Sequence, residues 1–376
     1  MKKILLIYLF SFGLASWVYG YQTEYYIYMT LSDTQVLTVL KILPSGEVKD
    51  TGYIYDVGPS RLAYDKKHKH LIIANPYQTA TTDCSGLMVC NMKSDHSLDL
   101  YSYVSTSAAL KIITSNTDNY FLKIPAVGDG EVWSIDSDGN ISDTGNRYDR
   151  IFNTVISPMD DFAVEAYALA INIYSVDTNN KKLETINVSS VTNISYTFFT
   201  SDGKALIGVG HDIGGSYGIN SKELILFNID TQGTLTAITS AGYQYYPSWG
   251  AMHPNGQYFY LYCDSGQFIA KFAYDSVTRK INYSGDKYYQ SGGYSLSNFQ
   301  ITPDGKLLVF LYSKSSDNTI WLTAARINED GALNWTGYEF PYFSQFSKQL
   351  IDWVLGMVIV PNEITAVPDK EWLELE

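Results

Sequence analysis

A short turn signature recurs along this chain of 376 residues and constrains its fold more than any other feature. Clear copies contain Pro158, Ser201, Pro254 and Pro303, which are separated by 43, 53 and 49 residues. Weaker copies lie at residues 62–67 and 113–118. Proline presets φ at the second position of a turn, and Asp-Gly or Asn-Gly tolerates the conformations that follow. Each copy joins two strand-forming runs and therefore predicts a β-hairpin.

A second hairpin alternates with the first and occurs seven times. Its turns lie at residues 42–46, 92–96, 135–139, 176–180, 229–233, 274–278 and 327–331. Two hairpins in every ~40–55 residues make one four-stranded blade, the repeat length of β-propellers. A β-sandwich would not repeat one turn signature at this period. The sequence therefore predicts an all-β fold, a seven-bladed β-propeller of four-stranded antiparallel blades, over residues 21–360.

The two ends of the predicted domain complement each other. Strands are predicted near residues 25–31, 35–42 and 47–53, without an innermost strand and its Pro-Asp-Gly turn. A single extra apolar strand is predicted at residues 350–360. Because an open ring would leave unpaired edge strands, we expect this last strand to join the first three and close the seventh blade.

The segments outside the propeller predict an exported protein. Lys2 and Lys3 precede an apolar run at residues 4–17, and this pattern is typical of a signal peptide, here residues 1–20. An uncleaved anchor helix is the alternative. No later segment is apolar enough to span a membrane, so we expect a secreted, periplasmic or cell-surface protein. Residues 361–376 are acidic and are predicted to be a tail or linker stub.

Charge and cysteine content narrow the classes of partner. Without Lys2 and Lys3 the chain has 24 basic and 39 acidic residues, a net charge of −15, which disfavours nucleic acid. Cys84 and Cys90 are close enough in sequence for a small loop disulfide in an oxidising compartment, which leaves Cys263 as a buried thiol. The three cysteines have no metal-like spacing and predict no zinc site, and we expect no cofactor. We expect a monomer.

Three segments resemble a known family. Residues 58–64, 247–256 and 302–307, whose sequences are GPSRLAY, PSWGAMHPNG and TPDGKL, are similar to the lactonase-type, or YVTN-type, seven-bladed propellers. The resemblance covers nearly all of the mature chain but depends on structural turns. It implies the fold and a set of functions that includes 6-phosphogluconolactonase-like hydrolysis, cycloisomerisation and surface recognition. The signal peptide departs from the cytoplasmic lactonases, and no catalytic residue of the family matches a position here.

The predicted strand order places both kinds of turn on one face and the connecting loops on the other. Loops usually carry the ligand site because they vary without disturbing the blades. Tyrosines are frequent in these loops, and their rings stack well on sugars or grip a protein partner. The predicted ligand-binding residues are Tyr55, Tyr77, Tyr217, Tyr245, Tyr246, Trp249, Tyr289 and Tyr294. The alternative is that a chain with 32 tyrosines places them in every region, its loops included.

A catalytic alternative rests on three residues near the predicted channel mouth. His211 could act as a base beside Asp212, and Arg61 could hold a carboxylate or phosphate. A hydrogen-bonded loop histidine is the plainer interpretation of His211, because no second histidine is near in sequence. We predict a structural role for His253, and positions in or beside turns on the opposite face for His68, His70 and His96. We expect His68 and His70 to be exposed there, and the alternative is that they form a two-histidine metal pair on one strand face. The segment from Asp136 reads as an Asp-Gly hairpin rather than a calcium loop.

Three functions follow from these observations. The first is recognition of a glycan or protein partner through the tyrosine-rich loop face. The second is hydrolysis or isomerisation of a small carboxylated or phosphorylated lactone at the channel mouth. The third is a spacer in an envelope assembly, with the acidic tail as a contact.

Overall fold

The computed structural model describes residues 23–31, 36–57, 60–74, 86–117, 119–125, 127–149, 154–167, 170–189, 194–210, 223–242, 247–263, 268–289, 295–313, 319–343 and 354–362. These residues form 28 β-strands in seven four-stranded antiparallel sheets, without a helix. The predicted all-β, seven-bladed propeller is confirmed. Within the described ranges, no helix has the length and apolar character to cross a membrane. The predicted signal segment 1–20 and nearly all of the tail lie outside the described residues.

The strands follow one another from the centre of the ring outwards in every blade except the first. Blade 1 contains β28 (Val354–Pro361), β1 (Tyr25–Leu31), β2 (Val36–Ile42) and β3 (Val48–Asp56). Blade 2 contains β4 (Arg61–Asp65), β5 (His70–Ala74), β6 (Gly86–Met92) and β7 (Leu98–Ser105), and blade 3 contains β8 (Ala109–Thr114), β9 (Tyr120–Pro125), β10 (Gly130–Ile135) and β11 (Ile141–Tyr148). Blade 4 contains β12 (Thr154–Ile156), β13 (Phe162–Tyr167), β14 (Ala170–Asp177) and β15 (Lys182–Ser189), and blade 5 contains β16 (Ile194–Phe199), β17 (Ala205–Gly210), β18 (Glu223–Ile229) and β19 (Leu235–Gly242). Blade 6 contains β20 (Pro247–Met252), β21 (Tyr258–Cys263), β22 (Phe268–Asp275) and β23 (Lys280–Tyr289), and blade 7 contains β24 (Ser295–Ile301), β25 (Leu307–Ser313), β26 (Ile320–Ile327) and β27 (Leu333–Phe343).

Burial follows the position of a strand within its blade. The second strands β5, β9 and β17 are buried along their whole length, since neighbouring blades cover both of their faces. Such strands read as continuous apolar runs rather than as alternating patterns. The outer strand β3 instead alternates between exposed and half-buried residues after Val48. The core therefore consists of apolar layers between adjacent blades rather than one central cluster.

The ring closes as predicted from the sequence. Strand β28 pairs antiparallel with β1, with Tyr25 opposite Pro361 and Tyr28 opposite Val358. Met357 and Ile359 are buried in the apolar layer that also contains Val309 and Leu322 of blade 7. The closing strand begins at Val354, and the predicted positions 350–353 lie outside the described residues. Inner strands of consecutive blades touch all the way round, from β28 through β4, β8, β12, β16, β20 and β24 back to β28.

The first-hairpin turns of neighbouring blades pack against one another on one face, called here the turn face. The His253 ring nitrogen Nε2 lies 2.8 Å from the Gly305 carbonyl oxygen, which confirms a structural role for His253. Gly305 has φ of +75°, and a Cβ there would lie 2.5 Å from the same ring nitrogen. In blade 4, Asp160 takes the glycine position with φ of 57°. Its buried carboxylate accepts hydrogen bonds from the Ser115 hydroxyl and the Asn116 and Thr117 amides of the preceding turn.

Four outer strands share a bulge that the turn signature did not reveal. A Thr-Gly or Ser-Gly pair stands at residues 51–52, 144–145, 284–285 and 336–337. In each pair the hydroxyl donates to a carbonyl of the neighbouring strand, and the glycine has φ between 77° and 82°. No atom lies within 4 Å of a Cβ built on these four glycines, so the backbone conformation rather than space requires glycine.

The structure bears on three sequence predictions, which concern the exposure of histidines, a cysteine pair and the turn at Asp136. His70 is buried and His68 is half-buried, so their predicted exposure is wrong, because the turns pack against the next blade. His96, in a turn of blade 2, is buried as well. Cys90 is buried between blades 1 and 2. Its predicted disulfide partner, Cys84, lies outside the described residues, so this disulfide stays a prediction. Asp136 accepts amide hydrogen bonds from Asp138 and Asn140, as a plain hairpin turn requires.

Candidate functional site

A cavity of about 700 Å³ occupies the centre of the ring. It is bounded by the inner strands β4, β8, β12, β24 and β28 and reaches the turn face at Pro254 and Pro303. The described residues that line it include Lys66 and Lys111 and no aspartate or glutamate. In a chain with a formal net charge of −13, this channel is thus locally positive and suits an anionic ligand.

A simple register relates the inner strands to one another. In blades 3, 5, 6 and 7, Ser115, Thr200, His253 and Thr302 open the first-hairpin turn with an amide bond across the hairpin. Asp65 holds the same place in blade 2. The residues four places earlier occupy equivalent backbone positions and define one level along the inner strands. They are Arg61, Lys111, Tyr196, Trp249 and Asn298.

Two neighbouring blades supply cations at this level. The Lys111 ammonium nitrogen Nζ donates to the Thr154 carbonyl oxygen of the next blade at 2.9 Å. Burial, and next the positive charge of Arg61, lower the pKa of Lys111 to about 8. The two positive charges repel each other, and a bound anion close to both would offset this repulsion. The pair is therefore suited to bind a carboxylate or phosphate.

Tyr196 makes an equivalent contact at the same level in blade 5. Its hydroxyl donates to the Gly250 carbonyl oxygen at 3.1 Å. Both acceptors, Thr154 and Gly250, stand three residues before the turn-opening residue of the next blade. Burial raises the pKa of Tyr196 to about 12, so its hydroxyl stays protonated near neutral pH. At this level, the side chains of Lys111 and Tyr196 each bridge from one inner strand to the next.

The residues predicted from the sequence fall into three groups. Arg61 and Trp249 lie in inner strands at the level just described, although the Trp249 side chain lies outside the described part of the structure. Tyr289 ends β23, and its side chain is likewise outside the described part. The remaining predicted residues that lie outside the described ranges are Tyr77, His211, Asp212, Tyr217, Tyr245, Tyr246 and Tyr294. Their roles stay predictions.

Tyr55 belongs to a strand and not to a loop. Strand β3 extends to Asp56, and the Tyr55 hydroxyl accepts a hydrogen bond from the Leu98 amide at 2.7 Å. The ring packs in the apolar layer between blades 1 and 2. These contacts give Tyr55 a structural role in joining the two blades, because its hydroxyl is engaged by the neighbouring blade.

Lys111 and Tyr196 were not among the site residues predicted from the sequence. Lys111 stands in the stretch Leu-Lys-Ile-Ile, which reads as an ordinary amphipathic strand. The available signal was the register: each of these residues lies four places before a turn-opening residue. Among the residues that the structure describes, no group of three histidine, cysteine, aspartate or glutamate side chains could hold a metal ion.

Comparison with known proteins supports the fold and leaves the family open. No family model matches the chain, and no curated protein matches it. Among solved structures, a periplasmic gluconolactonase from Pseudomonas aeruginosa has a TM-score of 0.68 and 13% identity over 90% of this chain and 99% of that chain. A candidate 6-phosphogluconolactonase from Bacteroides uniformis has a TM-score of 0.68 and 17% identity over 90% of this chain and 100% of that chain. A protein from Lactobacillus plantarum has a TM-score of 0.69 and 13% identity over 90% of this chain and 99% of that chain. At these identities the likeness shows that this chain has the seven-bladed propeller fold of 6-phosphogluconolactonase-like proteins.

Proposed function

We propose that this protein binds a small anionic lactone in the central channel and hydrolyses it to the hydroxy acid. The observation that supports this proposal is Lys111, which lines a cavity whose described lining has no carboxylate and which lies close enough to Arg61 for the two positive charges to interact. Two of the structural neighbours are named as lactonases of sugar acids. The substrate class is a carboxylated or phosphorylated sugar lactone, which carries the anion that the pair favours.

The proposed reaction opens the lactone ring with water. A water oxygen adds to the carbonyl carbon, the ring carbon–oxygen bond breaks, and the leaving ring oxygen takes up a proton to become a hydroxyl. The cations would orient the anionic group of the substrate and stabilise the negative oxygen that develops at the carbonyl. His211 beside Asp212 is proposed as the base that removes a proton from the water.

The test is proton release during hydrolysis, followed in a pH-stat above the uncatalysed rate. The substrates are an uncharged δ-lactone and matched lactones bearing a carboxylate or a phosphate. We expect faster turnover of the charged lactones, and a loss of about 10²-fold in kcat/KM for Lys111→Met. Lys182→Met, which changes an exposed lysine of the outer strand β15, is the matched control and retains full activity.

Two outcomes would count against this proposal. One is that no lactone in the panel is hydrolysed faster than in buffer. The other is that Lys111→Met and Arg61→Met both keep the wild-type kcat/KM. If only His211→Ala keeps full activity, His211 has no part in the mechanism and the channel cations retain theirs.

Recognition of a glycan or protein through the tyrosine-rich loops remains a prediction from the sequence. A glycan array with Tyr245→Ala and Tyr246→Ala variants tests it independently of lactone turnover. We also propose an extracytoplasmic location, supported by the signal-like segment before residue 21 and by a neighbour named as periplasmic. Cell fractionation tests the location, and recovery only in the cytoplasm would contradict it.

A further inference from the structure

Ring closure leaves one blade without a first-hairpin turn. In blades 2 to 7 the inner strand and its neighbour are consecutive in the chain and share that turn. In blade 1 the inner strand β28 comes from the C-terminal end and the next strand β1 from the N-terminal end. No turn of blade 1 can therefore pack against the turn of blade 7, as Gly305 packs against His253 between blades 6 and 7.

A second cavity, of about 270 Å³, lies at this seam on the turn face. Tyr25 of β1 and Leu307 of β25 are buried members of its wall. Asp304, Lys306 and Arg326 are charged members. The cavity is separate from the central channel, because the lining residues of the two cavities do not overlap among the described residues.

The polar groups of the seam cavity are arranged for an anion. Among the described residues, the Arg326 guanidinium makes a long contact, 3.4 Å from its Nη2 to the Ser45 carbonyl oxygen. The Lys306 ammonium lies 3.7 Å from the Asp304 carboxylate. The other Asp304 oxygen accepts hydrogen bonds from the Thr302 hydroxyl and the Lys306 amide. Both cations are exposed and keep donors for a ligand.

The Tyr25 hydroxyl is a second, independent feature of this cavity. The residue is 1% exposed, and its hydroxyl oxygen is buried without a hydrogen-bond partner of normal geometry. Burial, and next a hydrogen-bonding interaction with the Asp304 carboxylate that falls short of normal geometry, raise the pKa of Tyr25, so the hydroxyl keeps its proton and can donate it to a better-placed acceptor. A buried hydroxyl without a partner is costly, and a ligand oxygen at this wall would satisfy it.

We propose that the seam cavity binds a small monocarboxylate, with its carboxylate on Arg326 and Lys306 and an oxygen on the Tyr25 hydroxyl. The charges of Lys306, Arg326 and Asp304 sum to +1, which matches one carboxylate. A phosphate dianion would bring a second negative charge towards Asp304 and is disfavoured. The volume fits a ligand of a few carbon atoms and lies below that of most drug-sized sites, about 300–1,000 Å³.

The experiment is a saturation-transfer difference NMR titration of the full chain with sodium lactate at constant ionic strength. We expect saturable binding with a Kd on the order of 1 mM, in the range of weak small-ligand sites. Arg326→Gln and Tyr25→Phe each weaken it about tenfold, since each removes a hydrogen bond to the charged ligand. Inorganic phosphate should compete less well than unlabelled acetate.

Two control variants locate the binding site. Tyr120→Phe removes the hydroxyl of the residue that begins β9, as Tyr25 begins β1, and should leave lactate affinity unchanged. Lys111→Met alters the central channel and should also leave it unchanged. Loss of binding in Lys111→Met with wild-type affinity in Arg326→Gln would overturn the proposal, as would the absence of saturable binding. The lactone assay tests the central channel through Lys111, and the lactate titration tests the seam cavity through Arg326 and Tyr25. Each proposal can therefore fail without the other.

Discussion

The His96 imidazole is joined to Asn362, the residue that follows the closing strand, by a contact of 3.1 Å between Nε2 and the amide oxygen. The ring also stacks on Tyr26 with a centroid separation of 3.5 Å. The same Asn362 donates from its side-chain amide to the Glu24 carboxylate. A turn of blade 2 therefore joins both strands at the seam of blade 1 through the ring of one histidine.

Acidification should weaken this seam. Burial, the largest effect, lowers the pKa of His96 below its ordinary value of 6.5, although the Asn362 contact opposes it. The unfolded chain then binds a proton more readily than the folded chain, so stability is lost as pH falls below about 6.5. We expect Tm to fall between pH 7 and pH 5 in the wild type and to change less in His96→Asn. Asparagine is the variant of choice because position 96 has φ of 63°. If Tm falls equally with pH in the two proteins, protonation of His96 is not the cause of the acid destabilisation.

The Lys111 pKa predicts how anion binding depends on pH. With a pKa of about 8, Lys111 is largely protonated at pH 7 and mostly neutral at pH 9.5. Affinity for an anion in the channel should therefore fall about tenfold across this range. Lys111→Arg keeps its charge at both pH values and should bind equally well. Isothermal titration with gluconate measures both proteins. An equal pH dependence in wild type and variant would assign the effect to another group.

The Asp160 carboxylate should be a large local contributor to stability. It is 1% exposed and accepts hydrogen bonds from the turn of the preceding blade. Asp160→Gly keeps the backbone conformation and removes only these bonds, so we expect a loss of about 2–4 kcal/mol in the free energy of unfolding. Asp161→Gly changes the exposed neighbour and is the control. Urea unfolding followed by tryptophan fluorescence compares them, and equal midpoints would refute this role.

Removal of the closing strand should open the ring. A chain ending before Val354 leaves β1 as an unpaired edge and exposes the apolar layer that Met357 and Ile359 complete. Such edges pair with other chains, so we expect oligomers or aggregates. Met357→Ala is a milder variant that keeps the strand and should cost about 2–5 kcal/mol. Size-exclusion chromatography detects oligomers or aggregates of the truncated chain. A truncated chain that stays monomeric with an unchanged Tm would contradict the expectation.

The fold could be predicted from the sequence because its turns are local. Pro254-Asn255-Gly256 and Pro303-Asp304-Gly305 specify hairpins through their own backbone preferences, and their spacing specifies the blade. The closure of the ring by the last strand could also be predicted, because the N-terminal region supplies only three strands of its blade and the C-terminal region contains one additional strand. Tyr55 was misassigned to a loop because β3 continues through the Thr51-Gly52 bulge to Asp56.

The site was harder to predict because it depends on contacts between blades. Lys111 and Arg61 are 50 residues apart in the chain, and only the shared register of β4 and β8 brings them to one level. Nothing in the local sequence distinguishes Lys111 from a lysine on a solvated strand face. The buried histidines show the same limit, since His96 is covered by Tyr26 of another blade.

A crystal structure of the full propeller with gluconate, the hydroxy acid of an uncharged sugar lactone, tests the proposed anion site most directly. We expect gluconate in the central channel, with its carboxylate within hydrogen-bond distance of the Lys111 ammonium and the Arg61 guanidinium. Gluconate bound only outside the channel, with both side chains as they stand here, would contradict it.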